Sequence, residues 1–318
     1  MDGNGTQKTE SVPNKIRTQT IMRRDTHLQP AKTVNHVAIL ILVLLFSTSC
    51  TWCVNDVEPE LKINIVSNSE SGGLHIKSST LPFDLFEFRS CECILDGNKD
   101  FGLFEVKLGD PNSNEKHKWR INGNTLFYSW EYSEGIIVNF SAVVENDNLR
   151  LTYAISNQTP STLKRVLLHP CLITTDAPSF FPKPDMTSLY DRVFLWSKGK
   201  RFSMGDTELG NSKIHLSLMK EEETPINWAW WINSKRTFDE PILVMSSIDN
   251  RHVLALAFEK AIWASCNTGD ERACVHLFPY FGEIKPNQKI TVGGRLYLML
   301  GTPDTAYKRV RKDFMIDK

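Results

Sequence analysis

This 318-residue chain carries no net charge, its 37 Lys and Arg matching 37 Asp and Glu. No basic stripe gathers along it, which excludes the electrostatic footprint of a nucleic-acid binder. It lacks a Gly-x-Ser-x-Gly elbow, so nothing supports a Ser-His-Asp hydrolase. A glycine-rich phosphate loop is also missing, and no cofactor is expected. Internal repeats and low-complexity tracts are absent, which excludes a solenoid and argues for one domain. Long apolar runs are scarce too, and the one that stands out is Val37 to Phe46.

That run organises the N-terminus. Residues 1–36 are polar, with Lys8, Lys15, Arg17, Arg23, Arg24 and Lys32 against Asp2, Glu10 and Asp25. After the apolar core come Ser47-Thr48-Ser49-Cys50. Basic region, short apolar core and small-residue exit read as a secretory signal peptide. The core is shorter than the roughly 20 apolar residues a transmembrane helix needs. A wider span, Val34 to Val54, can serve as an anchor, and Cys50 offers a lipidation site, although Ser47 stands where Leu is usual. Met22 precedes Arg23-Arg24, so a start there gives a signal of ordinary length. The expected organisation is a leader over 1–36, a signal core or membrane anchor over 37–53, and a single domain over 54–318. Each alternative places that domain outside the cytoplasm, in periplasm, envelope or medium, with membrane contact only through the N-terminal segment.

Beyond the leader, strand signals dominate. Ile136, Val138, Phe140 and Ala142 alternate, as do Leu149, Leu151, Tyr153 and Ile155, and Glu145-Asn146-Asp147-Asn148 between them is turn chemistry. Further strands are expected over 61–66, 103–106, 126–130, 166–173, 213–219, 242–246, 253–258 and 295–300. Many short strands with turns predict an all-β fold, a large antiparallel sandwich. One helix is expected at the C-terminus, capped by Thr302 with Pro303 in its first turn and Tyr307, Val310 and Phe314 on one face. Lys308, Arg309, Arg311 and Lys312 line the remainder, suited to a helix C-terminus.

Five cysteines follow the leader: Cys91, Cys93, Cys171, Cys266 and Cys274. An odd number in an oxidising compartment leaves a thiol unpaired. Cys266 and Cys274 flank a polar loop and are the candidate disulfide. Two segments put a histidine two residues from a cysteine, His169-Pro170-Cys171 and Cys274-Val275-His276. In an extended chain that spacing puts both side chains on one face. Paired strands of this kind can hold zinc through His169, Cys171, Cys274 and His276, though exported thiols tend to oxidise. Each histidine reads equally well as a buried, hydrogen-bonded side chain of an apolar strand. Trp228 and Trp230 share a face in Asn227-Trp228-Ala229-Trp230-Trp231 and can stack on sugar rings or fill the core. Trp196 and Trp263 carry the same two readings. Asn139-Phe140-Ser141 and Asn157-Gln158-Thr159 match the glycosylation pattern, which is idle behind a signal of bacterial style.

Residues 149–160 lead into Val166-Leu167-Leu168-His169-Pro170-Cys171, and this stretch resembles the galactose mutarotase (aldose 1-epimerase) supersandwich. The resemblance implies that His169 stands where the family keeps its general acid, beside the sugar ring oxygen. Glu271-Arg272-Ala273-Cys274-Val275-His276, Phe278-Pro279 and Gly294-Arg295-Leu296-Tyr297-Leu298 resemble the family's C-terminal pattern. There the matching strand ends in a glutamate general base, and here that position is His276. Mutarotation needs an acid and a base of different effective pKa, so a His/His pair must have its values split by environment. The region from Asn227 onward is also similar to a group of uncharacterised exported proteins of bacteria such as planctomycetes. The expected function is an exported sandwich that binds or modifies a carbohydrate, with His169 and His276 as candidate catalytic residues. Trp228, Trp230 and Arg272 are the candidate ligand contacts. The alternative is a non-catalytic envelope protein whose sandwich is a protein-interaction module. The position of the two histidines, at one cleft or in separate cores, distinguishes them.

Overall fold

Strand periodicity in the sequence becomes two packed sheets in the computed structural model. The structure describes residues 63–67, 73–95, 104–105, 120–132, 135–145, 147–181, 188–206, 215–220, 237–267 and 273–314. These all fall in the unit Val57–Lys318. The first strands are β1 (Ile63–Ser67), β2 (Leu74–Ser78), β3 (Leu85–Leu95), β4 (Phe104–Glu105), β5 (Arg120–Asn122) and β6 (Thr125–Tyr132). Next come β7 (Ile136–Glu145), β8 (Asn148–Asn157), β9 (Leu163–Asp176), a short helix α1 (Ser188–Asp191), β10 (Val193–Ser197), β11 (Lys200–Ser203) and β12 (His215–Lys220). The chain then forms β13 (Thr237–Phe238), β14 (Ile242–Ser246), β15 (His252–Phe258), β16 (Ala261–Asn267), β17 (Cys274–Ile284), β18 (Gln288–Leu300) and α2 (Pro303–Phe314).

The first sheet runs β1-β2-β3-β9-β17-β16-β12-β13, with β4 beside β3, and the second runs β11-β10-β14-β15-β18-β8-β7-β6-β5. Pairing is antiparallel throughout, as in the expected hairpin β7–β8, apart from the parallel pair β12–β13. The core lies between the sheets. Phe88, Leu168, Val275 and Leu277 of the first meet Phe140, Leu151, Tyr153, Leu256 and Phe258 of the second. Phe140 sits 6.4 Å from Phe88 across the interface and 4.6 Å from Tyr153 on its own sheet. Each such side chain contributes about 1.5–3 kcal/mol through burial.

The second sheet is covered on its other face as well. Val244, Ala255 and Tyr297 alternate out of the inter-sheet core and pack with Trp196 against Ala306 and Val310 of α2. This explains the unbroken apolar runs of β14 and β15, both of whose faces are buried. The helix begins as expected, with Thr305 N–H donating to Thr302 Oγ1 at 3.3 Å. Trp196 stacks on Tyr307 at 4.5 Å, so this tryptophan anchors the helix and is not a ligand platform. No helix among the described residues is long and apolar enough to cross a membrane. The expected leader, 1–36, and the signal or anchor segment, 37–53, lie outside the described residues.

Candidate functional site

The outer face of the first sheet, away from the core, gathers the polar groups. In β9 and β17, Leu168, Leu172, Val275 and Leu277 point inward. Alternation then turns His169, Cys171, Cys274, His276 and Phe278 outward. The ladder register, Val275 with Leu172 and Cys274 with Ile173, sets His276 across from Cys171. His169 Nε2 lies 2.8 Å from His276 Nδ1, although 107 residues separate them in the chain. His276 Nδ1 is also 3.0 Å from the Pro170 carbonyl, and its Nε2 is 3.1 Å from Cys274 Sγ. Both histidines share one site.

The expected staple between Cys266 and Cys274 is not formed, and both are free, buried thiols. The register gives the reason. Cys266 pairs with Val275 and Asn267 with Cys274, so the two sulfurs stand on opposite faces of the sheet. Cys266 belongs to the inter-sheet core. Cys274 instead finds Cys171 on its own face, and the two thiols share a hydrogen bond.

A third strand completes the site. The β3–β9 register slips between the pairs Arg89–Cys171 and Cys93–His169, so four steps along β3 match two along β9. This bulge turns Ser90 into the core, where its Oγ meets Tyr128 Oη at 2.7 Å and its carbonyl accepts from Tyr153 Oη at 2.9 Å. It also swings Glu92 toward His169, 3.9 Å from Nε2. Arg89 binds Glu87 at 2.7 Å and Glu92 at 3.2 Å. Sequence reasoning missed this trio. Its available signal was Glu87, Arg89 and Glu92 set among Phe86, Phe88 and Cys91 in an otherwise apolar stretch.

Burial is graded across the cluster. His276 is 3 % exposed and His169 6 %, while the Glu92 side chain is 27 % exposed. Phe278 stacks on His169 at 4.6 Å and on Trp263 at 4.9 Å, forming an aromatic wall beside the imidazoles. Trp263 is therefore part of the wall and is buried. The hydrogen bond from Cys171, together with His276, lowers Cys274 to about 5 against the opposing effect of burial. Burial pushes Cys171 well up, reinforced by its bond to Cys274. For His276, burial disfavours the charged ring, but the Cys274 thiolate, Glu92 and the Pro170 carbonyl raise its value on balance. The opposite directions of Cys274 and His276 favour a proton on the imidazole over one on that thiol, while burial favours the protonated form of Cys171. Glu92, His169, His276 and Cys274 thus lie in a row from the half-exposed edge of the site to its buried end.

Cys171, Cys274 and His276 offer three metal-binding atoms within 4.8 Å of one another, and Glu92, His169 and His276 form a second such group. The expected four-ligand set, His169 with Cys171, Cys274 and His276, is therefore divided. His169 faces the nitrogen of His276 that points away from the sulfurs. Trp228, Trp230 and Arg272 lie outside the described residues. Asn157, which fits the glycosylation pattern, is fully buried with its amide donating to the Ser161 and Ile284 carbonyls.

No protein-family model matches the chain, and no curated protein matches its sequence. Among solved structures it is similar to a galactose mutarotase related enzyme from Lactobacillus acidophilus, at 9% identity and TM-score 0.44, covering 76% of this chain and 96% of that one. It is similar to a galactose mutarotase-like protein from Lactobacillus casei, at 10% identity and TM-score 0.41, covering 74% of this chain and 100% of that one. An alpha-N-acetylgalactosaminidase from Bifidobacterium bifidum is also similar, at 9% identity and TM-score 0.46, over 80% of this chain and 37% of that one. These likenesses concern the fold of an all-β sandwich.

Proposed function

We propose that this chain is an exported β-sandwich protein that binds a carbohydrate on the outer face of its first sheet. Glu87, Arg89 and Glu92 form the accessible rim, with His169 behind them. The supporting observation is the meeting of His169 and His276 at 2.8 Å on that face. Holding two imidazoles, two thiols and three charged side chains together costs desolvation that apolar residues would avoid. A ligand at the rim would offset that cost, and carboxylates beside a guanidinium suit the hydroxyl pattern of a sugar. Modification of the sugar is the narrower form of the same reading, with His169 exchanging a proton at the ligand and Glu92 beside it.

His276 enters this reading as a positioning residue. Both its nitrogens are engaged inside the protein, by Pro170 and His169 on one side and Cys274 on the other. That same engagement favours the second reading, a non-catalytic interaction module whose cluster is structural. Thermal-shift and calorimetric titration against galactose- and glucose-configured mono- and oligosaccharides distinguishes the two. Sugar binding predicts a rise in melting temperature with at least one ligand, lost in Arg89→Ala and Glu92→Gln. A flat response to every glycan overturns it and leaves the interaction module. Export rests on the apolar run Val37 to Phe46, with tethering through an uncleaved segment or a lipidated Cys50. N-terminal sequencing and mass of the protein from envelope fractions test this, and an intact Met1 or Met22 start in the cytosol overturns it.

A further inference from the structure

We infer that Cys171, Cys274 and His276 form a zinc-type metal site, with two sulfurs and His276 Nε2 as ligands and the fourth position open. The inference stands apart from sugar binding, since none of its ligands is a rim residue. It begins with spacing. A tetrahedral zinc ion, with Zn–S of about 2.3 Å and Zn–N of about 2.0–2.1 Å, sets its ligand atoms roughly 3.5–3.8 Å apart. Here the three donors lie within 4.8 Å of one another, and Cys274 Sγ is 3.1 Å from His276 Nε2. Small side-chain rotations bring them onto the tetrahedral edge lengths.

The donors are also held in place. All three stand on β9 and β17, paired strands whose ladder fixes their backbone positions. The imidazole is oriented as metal-bound histidines usually are, with the ring nitrogen away from the metal hydrogen-bonded to a carbonyl. His276 Nδ1–H donates to Pro170 O at 3.0 Å, which leaves Nε2 facing Cys274 Sγ as the nitrogen that would bind a metal once it carries no proton. His169 Nε2, at 2.8 Å from the same Nδ1, adds a second acceptor.

A separate observation points to the open position. Ser265 pairs with His276 across β16 and β17, so both side chains stand on the same face. Its Oγ is buried and has no hydrogen-bond partner among the described residues. A metal-bound water would supply one. Two thiolates and an imidazole select zinc-class ions over magnesium or calcium, which prefer oxygen. Loading is proton-balanced: the protons that the metal-free site holds on Cys171 and on the Cys274–His276 pair leave to solvent as the two metal–sulfur bonds and the metal–Nε2 bond form. Ligation would also keep buried sulfurs from oxidising outside the cytoplasm.

The test uses the full chain, reduced and stripped with chelator, then titrated with cobalt(II) and with zinc. The expected result is saturation at one ion per chain, with a near-ultraviolet thiolate-to-cobalt charge-transfer band and the visible bands of a tetrahedral site. Zinc bleaches both and raises the melting temperature. Cys274→Ser and Cys171→Ser each weaken the charge-transfer band and abolish tight uptake. His169→Ala keeps the band and loses no more than about 10- to 100-fold in affinity, as for a group behind a ligand. Absence of the band from wild-type protein with its thiols reduced overturns the inference. A band that keeps its full intensity in Cys274→Ser, or a Cys171–Cys274 disulfide in place of zinc in freshly isolated protein, also overturns it. The wild-type spectrum decides the matter even if a variant fails to fold.

Discussion

Replacing His169 and His276 by alanine, singly and together, isolates the energy of the 2.8 Å contact between them. His276 is the heavier loss. Its removal breaks that bond and leaves Cys274 and the buried Pro170 carbonyl without their imidazole. An orphaned buried acceptor costs about 1–3 kcal/mol and a hydrogen bond involving a charged group about 1.5–3. The single variant should therefore lose about 3–6 kcal/mol, a large share of the 5–15 kcal/mol typical of a domain. His169→Ala loses the same mutual bond and the stacking on Phe278 at 4.6 Å, together about 2–4 kcal/mol. The double variant loses the shared bond once, so it should be more stable than the summed singles by about 1.5–3 kcal/mol. Urea unfolding of chelator-treated protein, with equal slopes across the four proteins, gives the number. If the double variant were too unstable to measure, His169→Asn and His276→Asn would replace it. A coupling within about 0.5 kcal/mol of zero at neutral pH would refute the contact and, with it, the observation that supports the proposed site.

Two further perturbations examine the site and its scaffold. In metal-free protein, thiolate ultraviolet absorbance should show a step near pH 5 from Cys274, lowered by Cys171 and His276. A depressed thiol stabilises the fold above its unfolded value of about 8.5 and loses that contribution as pH falls through the folded value. The raised His276 acts in reverse, stabilising below about 6.5 and losing its contribution as pH rises through its folded value. Stability should accordingly climb from about pH 5 to 6.5 and then level off; a wild-type step confined to the ordinary thiol range, or one that persists in Cys274→Ser, contradicts this. At the end of β8, Asn157 Nδ2 donates to Ser161 O at 2.8 Å and Ile284 O at 2.9 Å, while its Oδ1 accepts from Thr159 N and Oγ1 at 3.0 and 2.7 Å. Asn157→Ala should lose about 2–5 kcal/mol in urea unfolding, and Asn157→Asp at least as much, because a carboxylate oxygen then faces two carbonyls. A loss below about 1 kcal/mol would mean that water replaces the amide.

Architecture was legible where one face alternates cleanly and a turn closes the pair. The β7–β8 hairpin shows this, its final pair Glu145–Asn148 lying at the expected turn. The C-terminal helix was legible through its cap and its Tyr307, Val310 and Phe314 face, and Val310 is fully buried. β18 begins at Gln288, seven residues before the expected strand, because Gly293 and Gly294 look like a break. In space Gly294 is required, since a Cβ there would run into the Phe258 ring. β3 was missed because its bulge interrupts the alternation of Phe86 and Phe88 with Glu87 and Arg89. β16 was missed because Ala261, Ala264 and Ser265 carry little strand signal.

At the site, spacing alone set each histidine on the same face as its cysteine, but only register could say which face met which. The disulfide expectation failed on parity: a shift of one residue in the β16–β17 pairing would have put Cys266 beside Cys274. The same register gives chemical meaning to His276 at the position where the mutarotase resemblance expects a glutamate. A carboxylate only accepts hydrogen bonds, so beside the Pro170 carbonyl and the Cys274 thiolate it would meet two more acceptors. Imidazole has two nitrogens of separable roles. His276 donates through Nδ1 to Pro170, and its Nε2 faces Cys274. Histidine at this position therefore makes a buried junction between the Pro170 carbonyl and the pair of sulfurs. A glutamate could not occupy that junction without losing both contacts.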